Sequence, residues 1–192
     1  MAAREMSMIS RTGDLRLRLA EERDMPVLRD LMNAAIGQLQ AAFLSPEAVA
    51  ASFSIMGLDS QLIADRTYFV AEAGDQIGGC GGWSRRATLF GGDHSAGRDA
   101  ALLDPAREAA RVRAMYTHPD FTRRGIGRMI LDACEAAAAA EGFRSCELAA
   151  TLAGEPLYRA CGYRPIESFT AATPQGVDVP LIRMGKALRN LG

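Results

Sequence analysis

The sequence predicts a single α/β domain with helices packed on a central mixed sheet. Three observations lead there. Apolar residues recur with period two in some segments and period 3.6 in others, in the order strand, two helices, three strands, helix, strand, helix, two strands. With 192 residues the chain has room for one core with modest insertions, but not for two. No internal repeat and no interdomain linker interrupts it.

Leu15, Leu17 and Leu19 alternate with arginines, the pattern of a half-buried strand. Asp24 before Met25-Pro26 supplies an N-cap and an early-turn proline. The helix it starts carries Leu28, Leu31, Met32, Ala35 and Ile36 on one stripe and ends near Gly37. Ser45-Pro46-Glu47 repeats the device for a helix that passes Val49 and Phe53 and stops near Gly57. Segments 68–73 and 76–83 form a hairpin across Gly74-Asp75. Gly78, Gly79, Gly81 and Gly82 dilute its second strand and predict a bulge or a close backbone approach. An extended loop at 84–110 follows, read either as a binding loop or as disorder.

Strand character returns at 112–117, before a long helix over 126–140. Ile130, Ala133, Cys134 and Ala137 share one face of that helix, with Arg128, Asp132 and Glu135 opposite, and Gly142 closes it. A strand at 146–150, a short helix at 156–160 stopped by Gly162, and strands at 163–169 and 179–184 complete the order.

The near balance of 22 basic and 23 acidic residues removes a strongly basic nucleic-acid binder on global electrostatics. An aromatic content of 6% also argues against a base-stacking platform. Residues 1–13 read as a flexible tail, neither secretory signal nor membrane anchor, so cytoplasmic placement is the expectation. Cys80, Cys134, Cys146 and Cys161 form no ligand-spaced pair and read as small buried thiols. Two histidines are too few for a histidine-rich metal site, and no metal is expected.

The chemistry concentrates in Thr122-Arg123-Arg124-Gly125-Ile126-Gly127-Arg128, between a strand and an amphipathic helix. Glycine admits a sharp turn there and leaves the first-turn amides open to an anion. The segment therefore reads as a phosphate-binding loop, with an ordinary glycine turn as the bland alternative. A terminal Lys-Ser/Thr is absent, and Ile130 stands where GxGxxG needs its last glycine. A nucleotide hydrolase and a dinucleotide fold are both disfavoured.

Met115-Tyr116-Thr117-His118-Pro119-Asp120-Phe121 followed by that loop resembles the acyl-CoA segment of the GNAT superfamily of N-acyltransferases. Leu157-Tyr158-Arg159-Ala160-Cys161-Gly162-Tyr163 is similar to the same family's C-terminal tyrosine and glycine-aromatic pair, and the likeness covers nearly the whole chain. It implies a mostly antiparallel central sheet with flanking helices, and acetyl-CoA as cosubstrate for transfer to a primary amine of a small molecule or protein. It implies pyrophosphate contacts from Arg123, Arg124, Gly125, Ile126, Gly127 and Arg128, and pantetheine pairing with the main chain of Met115 and Thr117. Thr151 becomes a further polar contact, alongside its plainer reading as a loop cap. Tyr158 becomes the acid for the departing thiolate, and the Tyr116 main-chain N–H the support for the carbonyl oxygen. Thr122 replaces the Arg or Gln that many members carry. The place where some carry a basic glutamate holds Arg111, so no general base is assigned among Glu72, Asp93, His94, Glu108 and His118. Arg85, Arg86, Arg98, Arg111 and Arg113 either face solvent or converge on an anionic acceptor. Members of the family often meet through their C-terminal strands, so a homodimer is an expectation. A non-catalytic acyl-CoA sensor is the alternative function.

Overall fold

Among the described residues, seven strands form one sheet: β1 (Leu15–Leu19), β2 (Tyr68–Ala73), β3 (Gln76–Ser84), β4 (Ala110–Thr117), β5 (Ser145–Ala150), β6 (Arg164–Ala171) and β7 (Val179–Ala187). Their order across the sheet is β1-β2-β3-β4-β5-β7-β6. The computed structural model describes residues 15–188. The expected tail at 1–13, and residues 14 and 189–192 of the expected domain at 14–192, lie outside the described residues. Every pairing is antiparallel except β4 with β5. The mixed, mostly antiparallel sheet expected from the sequence is therefore what forms.

Five helices flank it: α1 (Met25–Leu39), α2 (Pro46–Ser52), α3 (Ser60–Ala64), α4 (Ile126–Ala140) and α5 (Glu155–Ala160). Ser45 caps α2 as expected, its hydroxyl accepting from Ala48 N–H at 3.2 Å. Asp24 does not cap α1. Its carboxylate accepts two bonds from the Arg18 guanidinium, at 2.7 and 2.9 Å, and one from Glu21 N–H. Gly37 does not end α1, which continues to Leu39, and α2 stops at Ser52, before Phe53. The five-residue α3, capped by Asp59, is too short for any periodicity to announce.

The glycines of β3 mark a close approach. A β-carbon on Gly78 would lie 2.9 Å from both Ile126 and Phe121; one on Gly79 would run into Ile126. One on Gly81 would strike the Met115 sulfur. On the other face, a β-carbon on Gly82 would sit 2.6 Å from the Thr67 carbonyl oxygen. The first turns of α4 thus press onto the bare strand, burying Ile126, Ile130, Leu131 and Cys134. Gly142, at φ 92°, closes α4: its N–H donates to Ala139 O and that of Phe143 to Ala138 O, leaving Phe143 in the core. Glu135 departs from its expected solvent face, bonding the Lys186 ammonium on β7 at 2.6 Å.

The long loop is irregular but tied down. Arg86 pairs with Leu102 as an isolated bridge, and its side chain meets Asp65 at 2.7 Å. Arg98 meets the buried Asp59 at 2.6 Å. These ties hold Leu89, Phe90 and Gly91 against the middle of the sheet, where the site lies.

Candidate active site

Strands β4 and β5 pair only at Ala110↔Cys146 and Arg111↔Glu147. Beyond those residues both continue but no longer pair, so the sheet opens into a wedge. The wall facing that wedge is set by the β3–β4 register. His118 N–H donates to Gly78 O at 3.0 Å, and the pairs step on through Gly79↔Thr117 and Cys80↔Tyr116. Antiparallel alternation then turns the main chain of Tyr116 toward β3 and that of Thr117, and of Met115, toward the gap. The Tyr116 N–H expected to support a carbonyl oxygen is used by the sheet, and Met115 holds the gap-facing position. Tyr116 enters the site by its side chain instead, its phenol oxygen accepting from Gly57 N–H at 3.0 Å.

A register shift between Cys80 and Gly82 places an extra residue in β4, and Ala114 there has φ 50°. Left-handed backbone is costly for alanine, about 1–2 kcal/mol. Tyr68 offsets that cost: its buried hydroxyl donates to Ala114 O at 2.7 Å. This tether was not legible in the sequence, because a tyrosine in an apolar strand carries no signal of its partner 46 residues away.

At the wedge mouth, Arg123 (φ 64°) and Gly125 (φ 84°) are both left-handed, and Gly125 is the N-cap of α4. Alternating handedness of this kind aims successive amides at one point. Within the first turn, Met129 N–H bonds back to Gly125 O, leaving the amides of Ile126, Gly127 and Arg128 without helical partners. A β-carbon on Gly125 would meet no protein atom within 4 Å; one on Gly127 would be 2.7 Å from Leu157 of α5. The two glycines therefore serve different ends, a backbone conformation and a helix contact.

Tyr158 is held by a local motif. Gly162, at φ 92°, follows α5; its N–H donates to Arg159 O, and Tyr163 N–H donates to Tyr158 O at 3.0 Å. This cap brings the Tyr158 and Tyr163 rings edge to face at 6.0 Å. The spacing from Tyr158 to Gly162-Tyr163 is thus a device for fixing one ring. Burial pushes the Tyr158 and Tyr116 phenols well above their ordinary range, so both are neutral.

These parts line one cleft of about 720 Å³. Met115, Thr117 and Thr151 form its wedge, Arg123, Gly125, Ile126, Gly127 and Arg128 its mouth, and Tyr116 and Tyr158 its inner end. Thr151 is also a cap, its hydroxyl accepting from Gly154 N–H at 3.1 Å. Arg124 is the exception among the expected residues: its guanidinium lies 4.9 Å above the Phe121 ring and does not line the cleft. Sequence reasoning missed Ile36, Leu39 and Phe43 of α1 and the loop after it, which form the apolar wall opposite. Their helical stripe was legible; what it faces was not.

A second cavity of about 110 Å³ adjoins the first at Met115, Tyr116, Thr151 and Tyr158. None of the residues considered as a base lines either space. The Glu72 carboxylate accepts from Arg18, that of Glu108 from Asp104 N–H, and that of Asp93 from Ser60. His94 Nε2 lies 2.8 Å from Phe53 O, and His118 Nδ1 caps the turn at Asp120. The arginines do not converge. Arg85 pairs with Glu141, Arg86 with Asp65, Arg111 with Glu147 and Arg98 with Asp59. Arg113 alone reaches the smaller cavity, with Asp59 at 2.6 Å from its guanidinium. All four cysteines are buried and free, and burial raises the Cys80 thiol to about 12, far from a nucleophile's range. Among the described residues no cluster of His, Cys, Asp and Glu could hold a metal ion.

Comparison with known proteins supports the same reading of the fold. A GCN5-related N-acetyltransferase from Rhodopseudomonas palustris superposes with a TM-score of 0.65 at 23% identity, over 95% of this chain and 99% of that one. PaiA N-acetyltransferase from Thermoplasma acidophilum, solved in complex with coenzyme A, gives 0.60 at 14% identity, over 91% and 99%. A ribosomal-protein-alanine N-acetyltransferase from Brucella melitensis gives 0.61 at 18%, over 90% and 99%. A search of curated proteins finds no match. The family model for the acetyltransferase (GNAT) domain matches residues 64–165. That span is more than half of the chain and runs from the end of α3 through the wedge, α4 and Tyr158 into β6, so the chain belongs to the GNAT acetyltransferase family.

Proposed function

We propose that the protein transfers an acetyl group from acetyl-CoA directly to a primary amine. The observation that carries this is the meeting, in one cleft, of free helix N-terminal amides, an opened strand edge and the Tyr158 phenol. The residues present fit the cosubstrate. The amides of Ile126, Gly127 and Arg128, with the Arg123 and Arg128 side chains, suit a pyrophosphate. The gap-facing main chain of Met115 and Thr117 suits the amide-bearing pantetheine arm, which can pair as an added strand. Acetyl-CoA supplies the acyl group, activated as a thioester.

The remaining chemistry belongs to the chain. Met115 N–H supports the carbonyl oxygen as charge develops on it. Tyr158, neutral and at the junction of the two cavities, gives its proton to the departing sulfur. The smaller cavity holds the acceptor. For Tyr158→Phe, assayed by thiol release across an amine library, kcat should fall about 100-fold with little change in KM for acetyl-CoA, the low end for a general acid because a thiolate leaves readily. Unchanged turnover with every accepted amine would remove Tyr158 from this role. Coenzyme A binding without amine-dependent thiol release would instead indicate a sensor.

A further inference from the structure

The acceptor cavity has walls from six separate segments, α5 among them. Ile55 and Met56, Phe90 of the long loop, Val112 of β4, Ala149 of β5 and Leu181 of β7 supply its apolar lining, beside polar groups of Arg113, Tyr116, Thr151 and Tyr158. Its volume of about 110 Å³ is below the roughly 150 Å³ of an engineered cavity that admits benzene. The titratable groups facing it are Arg113 and Tyr116 from β4 and Tyr158 from α5; the adjoining cleft adds Arg123 and Arg128. Among the described residues, no carboxylate and no imidazole lines either space. Asp59, behind Arg113, is shared by two guanidiniums, with Arg113 and Arg98 each at 2.6 Å.

An ammonium entering this space loses water, meets a guanidinium and gains no carboxylate. Desolvation and like charge both act against its charged form. Nor can the walls remove its proton, since the arginines are cations and both phenols are held neutral by burial. The nitrogen has to arrive uncharged. For an ordinary alkylamine such as lysine's, with a pKa near 10.4, about one molecule in 2,500 is neutral at pH 7.

Resting on the transferase reading above, we propose that the acceptor is a small, weakly basic primary amine: an alkoxyamine or an electron-poor alkylamine. Polyamines and lysine side chains do not fit these walls. The neutral nitrogen forms the C–N bond as the C–S bond breaks. The sulfur takes its proton from Tyr158, and the proton that the nitrogen sheds restores the phenol through solvent. No base is needed before attack.

The test is thiol release by the full chain with acetyl-CoA, over about pH 6 to 9, after subtraction of an enzyme-free blank. The acceptors are 2,2,2-trifluoroethylamine, methoxyamine and ethylamine, which are close in size and differ in basicity. At pH 7, kcat/KM for trifluoroethylamine, counted per total amine, should exceed that for ethylamine by about tenfold or more. The ethylamine value should climb about tenfold per pH unit, following its neutral fraction, while the weakly basic pair stay level. Preference for ethylamine at pH 7 would overturn the proposal. So would an inflection at one pH shared by all three amines, which marks a protein base. If coenzyme A binds in calorimetry but no amine releases thiol, the transferase reading fails and this inference with it. Release confined to the basic amine defeats this inference alone.

Discussion

Gly125→Ala separates the proposed phosphate-binding work of its loop from the stability of the fold. Gly125 sits at φ 84°, and an added β-carbon meets nothing within 4 Å. The substitution therefore adds no clash, only the left-handed penalty of about 1–2 kcal/mol. For a domain of this size that should lower Tm by roughly 2–8 °C. Binding should suffer more. If the backbone relaxes toward negative φ, the Ile126, Gly127 and Arg128 amides lose their common aim. Each hydrogen bond to a charged group is worth about 1.5–3 kcal/mol, so losing one weakens coenzyme A by about tenfold to over a hundredfold. Gly176→Ala is the matched control. It has φ 73°, equally open surroundings, and a turn between β6 and β7 that does not line the cleft. Calorimetric titration with coenzyme A and thermal unfolding of both variants are the assays. Similar Tm losses with a weakened Kd only for Gly125→Ala are expected. The same Kd in two folded variants would refute the loop's assignment.

Tyr68→Phe should leave the partly buried Ala114 carbonyl without its donor, costing about 1–3 kcal/mol in denaturant unfolding. By freeing the bulge it should also lower kcat well beyond any change in coenzyme A affinity. Equal kcat would show that the tether serves stability only. Asp59→Ala leaves the Arg113 guanidinium, already depressed in pKa by burial, without its carboxylate. A loss of roughly 3–5 kcal/mol is expected in the same assay. Asp24 and Asp65 are held below the ordinary aspartate pKa of 3.8 by Arg18 and Arg86 respectively. A depressed folded-state pKa gives stability that is fully present above the unfolded value and lost as pH falls through the folded one. Urea midpoints should thus hold level above about pH 5 and drop below about pH 4, less steeply in Asp24→Asn and Asp65→Asn.

Much of the site could be read because its devices are local. The two helix-stopping glycines, Gly142 and Gly162, act through bonds spanning at most five residues, and so does the open first turn of α4. A short pattern such as Tyr158 to Gly162-Tyr163 carries its own geometry. Where the expectations failed, a distant partner had won. Asp24 looked like a cap, but Arg18, itself bound to Glu72 across the sheet, claimed its carboxylate. Glu135 belonged to a polar helix face until Lys186 drew it in. Arg124 matched the loop pattern, yet the Phe121 ring holds its guanidinium away from the cleft.

Period and punctuation in the chain were enough to place the strands, the main helices and the glycine turn that opens α4, since φ preference and amphipathic spacing operate within one or two turns. The wedge between β4 and β5, the amides that face it, the Tyr68 tether and the smaller cavity beside them depend on register and on segments far apart in sequence. Those relations exist once the chain has packed, because burial and partner choice are properties of neighbours in space.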